Sequence, residues 1–118
     1  MTADPFLDRL ARVRARFAMT LAGKIDETSA ALPRLAGAAP AAALAVAEAY
    51  RCVHGIVGVG PVVGFAASGN AAHEVEDILR PPQQERRGLT ADEIAALAAA
   101  LQVLREVAAR ELQSFSRA

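Results

Sequence analysis

The chain has no tryptophan, one tyrosine and one cysteine in 118 residues. A lone Cys52 forms no internal disulfide, and no CxxC pair or Cys/His cluster with zinc spacing occurs, so no metal is expected and a reducing cytoplasm fits. Charge of one sign is lacking too: 13 Lys+Arg stand against 13 Asp+Glu. With the basic residues spread along the chain, neither nucleic acid nor an anionic membrane is the expected partner. The opening MTADPFLDRLARVRARF has early acidic residues and no apolar run, so no secretory signal is expected there. The longest nearly uncharged stretch, Arg51 to Glu74, contains Ser68, Asn70, His73 and five glycines, and a membrane span is not expected from it.

What the chain has in excess is alanine, 29 residues of it. Alanine is the best helix former, so the expectation is an all-α protein of thin, closely packed helices. The length suits one domain over residues 1–118, able to bury a core without disulfides or metals.

Helix signals follow in order. Asp4 is a favoured N-cap and Pro5 suits the first helical position. Phe6, Leu10, Val13, Phe17 and Leu21 then recur at spacings of three and four, opposite Asp8, Arg9, Arg12 and Arg16. This predicts an amphipathic helix that runs through Ile25 and ends before Pro33. PRLAGAAP, residues 33–40, reads as a connection. A second helix is predicted over about 41–58, with Val46, Ala49, Tyr50, Val53, Ile56 and Val57 inward and Glu48, Arg51, His54, Gly55 and Gly58 outward. Gly60-Pro61 then supplies a stop and a new start.

A third helix is predicted over 61–79, with Gly64, Ser68, Ala71, Val75 and Ile78 inward and Asn70, His73, Glu74 and Asp77 outward. RPPQQERRG, residues 80–88, reads as a proline-broken loop. Thr90 and Glu93 form a capping box for a last helix carrying Ile94, Leu97, Leu101, Leu104, Ala108 and Leu112 inward. Four helices with short connections predict an up-down antiparallel four-helix bundle.

Chemistry concentrates in RCVHGIVGVGPVVGF, residues 51–65. A dinucleotide loop is the first reading to test, but Gly58, Gly60 and Gly64 have the spacing GxGxxxG, with a proline inside and no second strand for a sheet. No Gly-Lys-Ser/Thr occurs either, which excludes a Walker loop, so no nucleotide cofactor is expected. The alternative centres on His54. Glycine inside a helix costs about 0.5–1 kcal/mol relative to alanine. Gly55 and Gly58 beside an outward histidine, in a chain this rich in alanine, therefore point to a partner that must come close to the ring. Arg51, three residues earlier on the same face, places positive charge where a phosphoryl group would sit. His73 reads as a solvated histidine, Cys52 as a small buried residue, and Tyr50 and the phenylalanines as core.

AYRCVHGIVGVGPVVGF resembles the phosphorylation motif of histidine-containing phosphotransfer (HPt) domains. His54 matches the phospho-accepting histidine, Ile56 the aliphatic position, Gly58 the glycine one turn on, and Gly64-Phe65 the start of the following helix. FLDRLARVRARF and AAHEVEDIL are similar to the flanking helices of that family. Val57 stands where the family often has a lysine, and Val59 where small polar residues are common. The resemblance implies a phosphocarrier, not a turnover enzyme, whose His54 exchanges a phosphoryl group with a response-regulator receiver domain or a histidine kinase. Arg51, Gly55, Gly58 and Gly64 would meet the phosphoryl group or the partner, and no cofactor belongs to the chain itself. Two other readings stay open: a degenerate relative that binds such partners without carrying phosphate, and an unrelated helical interaction protein whose glycines permit close helix packing, which would bury the His54 face.

Overall fold

The computed structural model describes residues 4–117; Met1 to Ala3 and Ala118, part of the expected single domain, lie outside them. The described residues are helical, with no strand among them: α1 (Pro5–Ala30), α2 (Leu32–Leu35), α3 (Pro40–Val59), a 3₁₀ turn (Pro61–Val63), α4 (Ala66–Gln84) and α5 (Ala91–Arg117). The four long helices are those expected from the apolar spacing. The short α2 occupies part of the segment read as a connection, because Pro33 sits in its first turn, where proline costs no hydrogen bond.

Helix starts follow local chemistry. The Asp4 carboxylate accepts from the Phe6 N–H at 2.9 Å. Thr90 and Glu93 close their box reciprocally: the Thr90 N–H donates to Glu93 at 2.9 Å and the Glu93 N–H to Thr90 Oγ1 at 3.2 Å. α4 has no cap of its own, since Phe65 precedes it. Glu111 of α5 supplies one, accepting from Ser68 N–H at 2.7 Å and Ala67 N–H at 3.3 Å. A carboxylate here satisfies otherwise orphaned donors and meets the positive end of the helix dipole.

The core joins Phe17, Leu21 and Ile25 of α1 to Val46, Val53 and Ile56 of α3, Ala72, Val75 and Leu79 of α4, and Leu97, Leu101 and Leu104 of α5. Each full burial of such a side chain contributes about 1.5–3 kcal/mol. α3 packs most extensively on α4, α4 on α5, and α1 on both α5 and α3. At one end Phe65 is buried between Phe17 and Phe115, with ring centroids 5.1 and 5.8 Å away.

Three expectations need correction. The third helix begins at Ala66 and not at Pro61, because the chain first makes the 3₁₀ turn and then passes through Gly64 at φ +91°, a left-handed conformation that favours glycine. The stretch 80–88 is not all loop, since α4 continues to Gln84 with Pro81 and Pro82 inside it. Their missing N–H groups cost bonds to the preceding turn, but their carbonyls accept from Glu85 and Arg87 N–H at 3.0 Å, so the prolines lead a closing turn. Finally, the apolar stripe of α1 is buried only from Phe17 onward, while Phe6, Leu7 and Val13 are exposed. The turn at 60–65 closes the bundle beside Arg14, and the first turns of α1 line an open groove with it.

Candidate functional site

α3 carries Arg51, His54, Gly55 and Gly58 along one face, as its apolar spacing requires. The His54 side chain is 64% exposed. A Cβ added at Gly55 or Gly58 would meet nothing within 4 Å. The fold therefore makes no demand for glycine at either position, and the space beside the imidazole is open. Close helix packing, one of the readings left open by the sequence, does not describe this face. Arg51 is exposed, and Val57 is half-buried against the core. Gly64 faces the Arg14 guanidinium instead of this cluster.

The decisive partner of His54 comes from α4. Glu76 is buried, with 4% of its side chain exposed, and its Oε2 lies 2.5 Å from His54 Nδ1. Its other oxygen, Oε1, accepts from Arg80 Nη2 at 2.8 Å. Both oxygens are thus partnered, as a buried carboxylate requires, since removing one partner of such a pair typically costs about 3–5 kcal/mol. Arg80 also donates to Asp77 at 2.6 Å. The guanidinium is held above its ordinary pKa by its hydrogen bond to Asp77, and next by the Tyr50 hydroxyl.

This geometry sets the tautomer. A carboxylate accepts hydrogen bonds, so Nδ1 carries the proton and Nε2 keeps its lone pair. The nitrogen with the free lone pair is then the one directed away from the Glu76 contact. The ring itself lies nearly parallel to Tyr50, with centroids 5.8 Å apart and planes at 13°. Tyr50, read from the sequence as core, is only half-buried and belongs to the site.

Neither Glu76 nor Arg80 was singled out by sequence reasoning. The signal for Glu76 was a carboxylate within the stripe Ala72, Val75, Glu76, Leu79, all buried. Arg80 was hidden by the proline-loop reading, because only a helix continuing past Pro81 keeps it one turn from Glu76. His73 is exposed as expected, its Nδ1 3.3 Å from Asp77. With Glu74 these two bring ligand-type atoms within 4.8 Å of one another on the outer face of α4, but Asp77 is already engaged by Arg80 and His54 is not among them. Cys52 is half-buried, its Sγ 3.9 Å from Thr28 Oγ1 and from the Lys24 carbonyl.

One helical segment, Pro40–Val63, is long and apolar enough to cross a membrane by length and composition. In the fold it is the helix whose Val46, Val53 and Ile56 enter the core, and it bears Arg51 and His54.

A family model described as the Hpt domain matches residues 12–107. The chain belongs to the Hpt domain family. Comparison with curated proteins and with solved structures gives no match. The matched span of this Hpt domain includes Tyr50, His54, Glu76 and Arg80. Membership implies involvement in histidine phosphotransfer within phosphorelays. Hpt domains are phosphocarrier modules that generally interact with histidine kinases and receiver domains.

Proposed function

We propose that this Hpt domain is a cytoplasmic phosphocarrier, one domain across the chain with an up-down antiparallel four-helix arrangement, and that His54 is its phospho-accepting residue. The observation that carries the reading is an exposed imidazole whose Nδ1 is held by a buried carboxylate, with open space at Gly55 and Gly58 beside it.

The Nε2 lone pair attacks phosphorus of a receiver's aspartyl phosphate. The N–P bond forms, the acyl O–P bond breaks, and the receiver's carboxylate leaves. The proton stays on Nδ1, so the ring becomes cationic, and Glu76 faces that developing charge. The reverse transfer runs through the same arrangement. Exposed Arg51 is placed to meet the phosphoryl oxygens. Arg51, Gly55 and Gly58 form the surface that the partner covers, while Gly64 ends the neighbouring turn and faces Arg14.

Continuity extends that surface. Gly58 also lines a groove of about 350 Å³ with Phe6, Leu10, Val13, Val59 and Val62. A receiver or kinase surface that reaches His54 lies over this groove, which accounts for apolar side chains left exposed at the start of α1.

The test is incubation with a phosphorylated receiver domain or its kinase. The expected product is an acid-labile, base-stable phosphate that His54→Gln abolishes. Label surviving that substitution would sink the assignment. Val57 supports one second reading, a binder that carries no phosphate, because an apolar side chain packed on the core replaces a cation near the ring. That version binds the partner and takes no label.

A further inference from the structure

Side chains on an α-helix lean toward the N-terminus, so His54 lies back over the turn that contains Tyr50. One turn the other way stands Gly58, which has no side chain to confine the ring, and Gly55 adds none. Along α3 the imidazole is therefore walled on one flank by Tyr50 and open on the other. The two rings are close to parallel, with planes at 13° and centroids 5.8 Å apart.

The contacts form a chain. Tyr50 stacks on His54, His54 Nδ1 meets Glu76 Oε2, and Glu76 Oε1 takes the Arg80 guanidinium. The Tyr50 hydroxyl lies near that same guanidinium. A histidine held by one hydrogen bond alone and 64% exposed can swing about both of its side-chain torsions into another rotamer, presenting Nε2 to Glu76 and Nδ1 to solvent. A face-on aromatic neighbour opposes that swing, because the ring must leave the stack to make it.

We infer that Tyr50 is a positioning residue, whose stacked ring keeps the His54 imidazole turned with Nδ1 on Glu76 and Nε2 toward the partner. It acts through His54, the ring it stacks on. The consequence is a single site of phosphorylation, at Nε2. This rests on His54 being the phosphorylated residue, but the orientation of the ring is measurable without phosphate.

The test uses the full chain labelled with ¹⁵N, in wild type, Tyr50→Phe and Tyr50→Ala, with Tyr50→Leu in reserve if the alanine variant does not fold. Imidazole ¹⁵N shifts report the tautomer and orientation of His54 directly. Wild type and Tyr50→Phe are expected to hold a single Nδ1–H form. Tyr50→Ala is expected to lose about three- to tenfold of that preference, the size of one aromatic stack. A folded Tyr50→Ala or Tyr50→Leu protein with the wild-type pattern overturns the inference. So does a loss in Tyr50→Phe as large as in Tyr50→Ala, since stacking is then not the cause.

Phosphoramidate supplies the second readout and needs no docking partner. The Nε2 lone pair forms the N–P bond, the P–N bond of the reagent breaks, and ammonia leaves. Wild type is expected to yield only the Nε2 phosphohistidine, and Tyr50→Ala a mixture with the Nδ1 product. An Nε2-only product from Tyr50→Ala overturns the inference. A wild type that takes no label at His54 overturns the phosphocarrier reading instead, while the tautomer pattern still decides the role of Tyr50.

Discussion

Glu76 meets His54 from 22 residues further along the chain, with Oε2 2.5 Å from the ring Nδ1, and it does so from inside the bundle while the histidine stands mostly in solvent. A buried carboxylate aimed at an exposed imidazole orients the ring and, in the proposed transfer, would offset the charge that phosphorylation places on it.

Glu76→Gln keeps the shape and removes the charge. A hydrogen bond to a charged group is worth about 1.5–3 kcal/mol, so transfer is expected to slow by about ten- to a hundredfold. The check is the initial rate of label transfer from a phosphorylated receiver, with the melting temperature as control for folding. A rate within twofold of wild type would show that the charge does not contribute.

The glycines divide by what surrounds them. Gly55→Ala and Gly58→Ala place a methyl in open space and are expected to raise stability by about 0.5–1 kcal/mol each. The same variants are expected to slow transfer from a protein partner but not labelling by phosphoramidate, because only the partner needs the space. Gly60→Ala is expected to do the opposite to stability. Its Cβ would lie 2.8 Å from the Ile56 carbonyl and 3.1 Å from that of Phe65, which predicts a loss of about 1–3 kcal/mol. Chemical denaturation of the three variants decides both signs.

Glu111→Ala removes the acceptor that α5 provides for the first turn of α4. Loss of a helix N-cap costs about 0.5–2 kcal/mol. The expected outcome is a lower denaturation midpoint, with faster amide exchange at Ala67 and Ser68. Unchanged exchange there would mean that water replaces Glu111 without cost.

Acid is expected to weaken the capping box of α5. The hydrogen bond from Arg87 lowers the Glu93 carboxyl from 4.5 to about 2, with Thr90 N–H adding to it. A carboxyl whose pKa is depressed in the folded state binds protons more readily when unfolded. Its contribution to stability is therefore complete above about 4.5 and is lost as pH falls toward about 2. In Glu93→Gln that part of the acid loss is expected to vanish, measured as a flatter dependence of stability on pH across this window. An unchanged slope would show that the pair does not stabilise the fold.

Much of the helical framework was legible because its signals are local. Asp4-Pro5, the Thr90–Glu93 box and the three-and-four spacing of α3 and α5 act within a few residues, and each appears where expected. The outward placement of His54 followed from the same spacing. The prolines at 81 and 82 misled because their effect depends on which carbonyls need a donor, and here the chain turns soon enough to satisfy theirs. Phe6 and Val13 misled because a stripe records an apolar face without saying what covers it.

The sequence by itself determined an all-helical chain, the exposure of His54 and the bare helix face made by Gly55 and Gly58, since these depend only on position along one helix. Only the tertiary structure decided what holds the histidine. Glu76, itself held by Arg80, reaches it across the packed α3–α4 pair, and the register of that pair is set by how Val53, Ile56, Ala72, Val75 and Leu79 fit together in the core. Tyr50 lies on the same helix as His54, yet its role too came from the fold, because apolar spacing alone does not distinguish a ring buried in the core from one stacked at its edge.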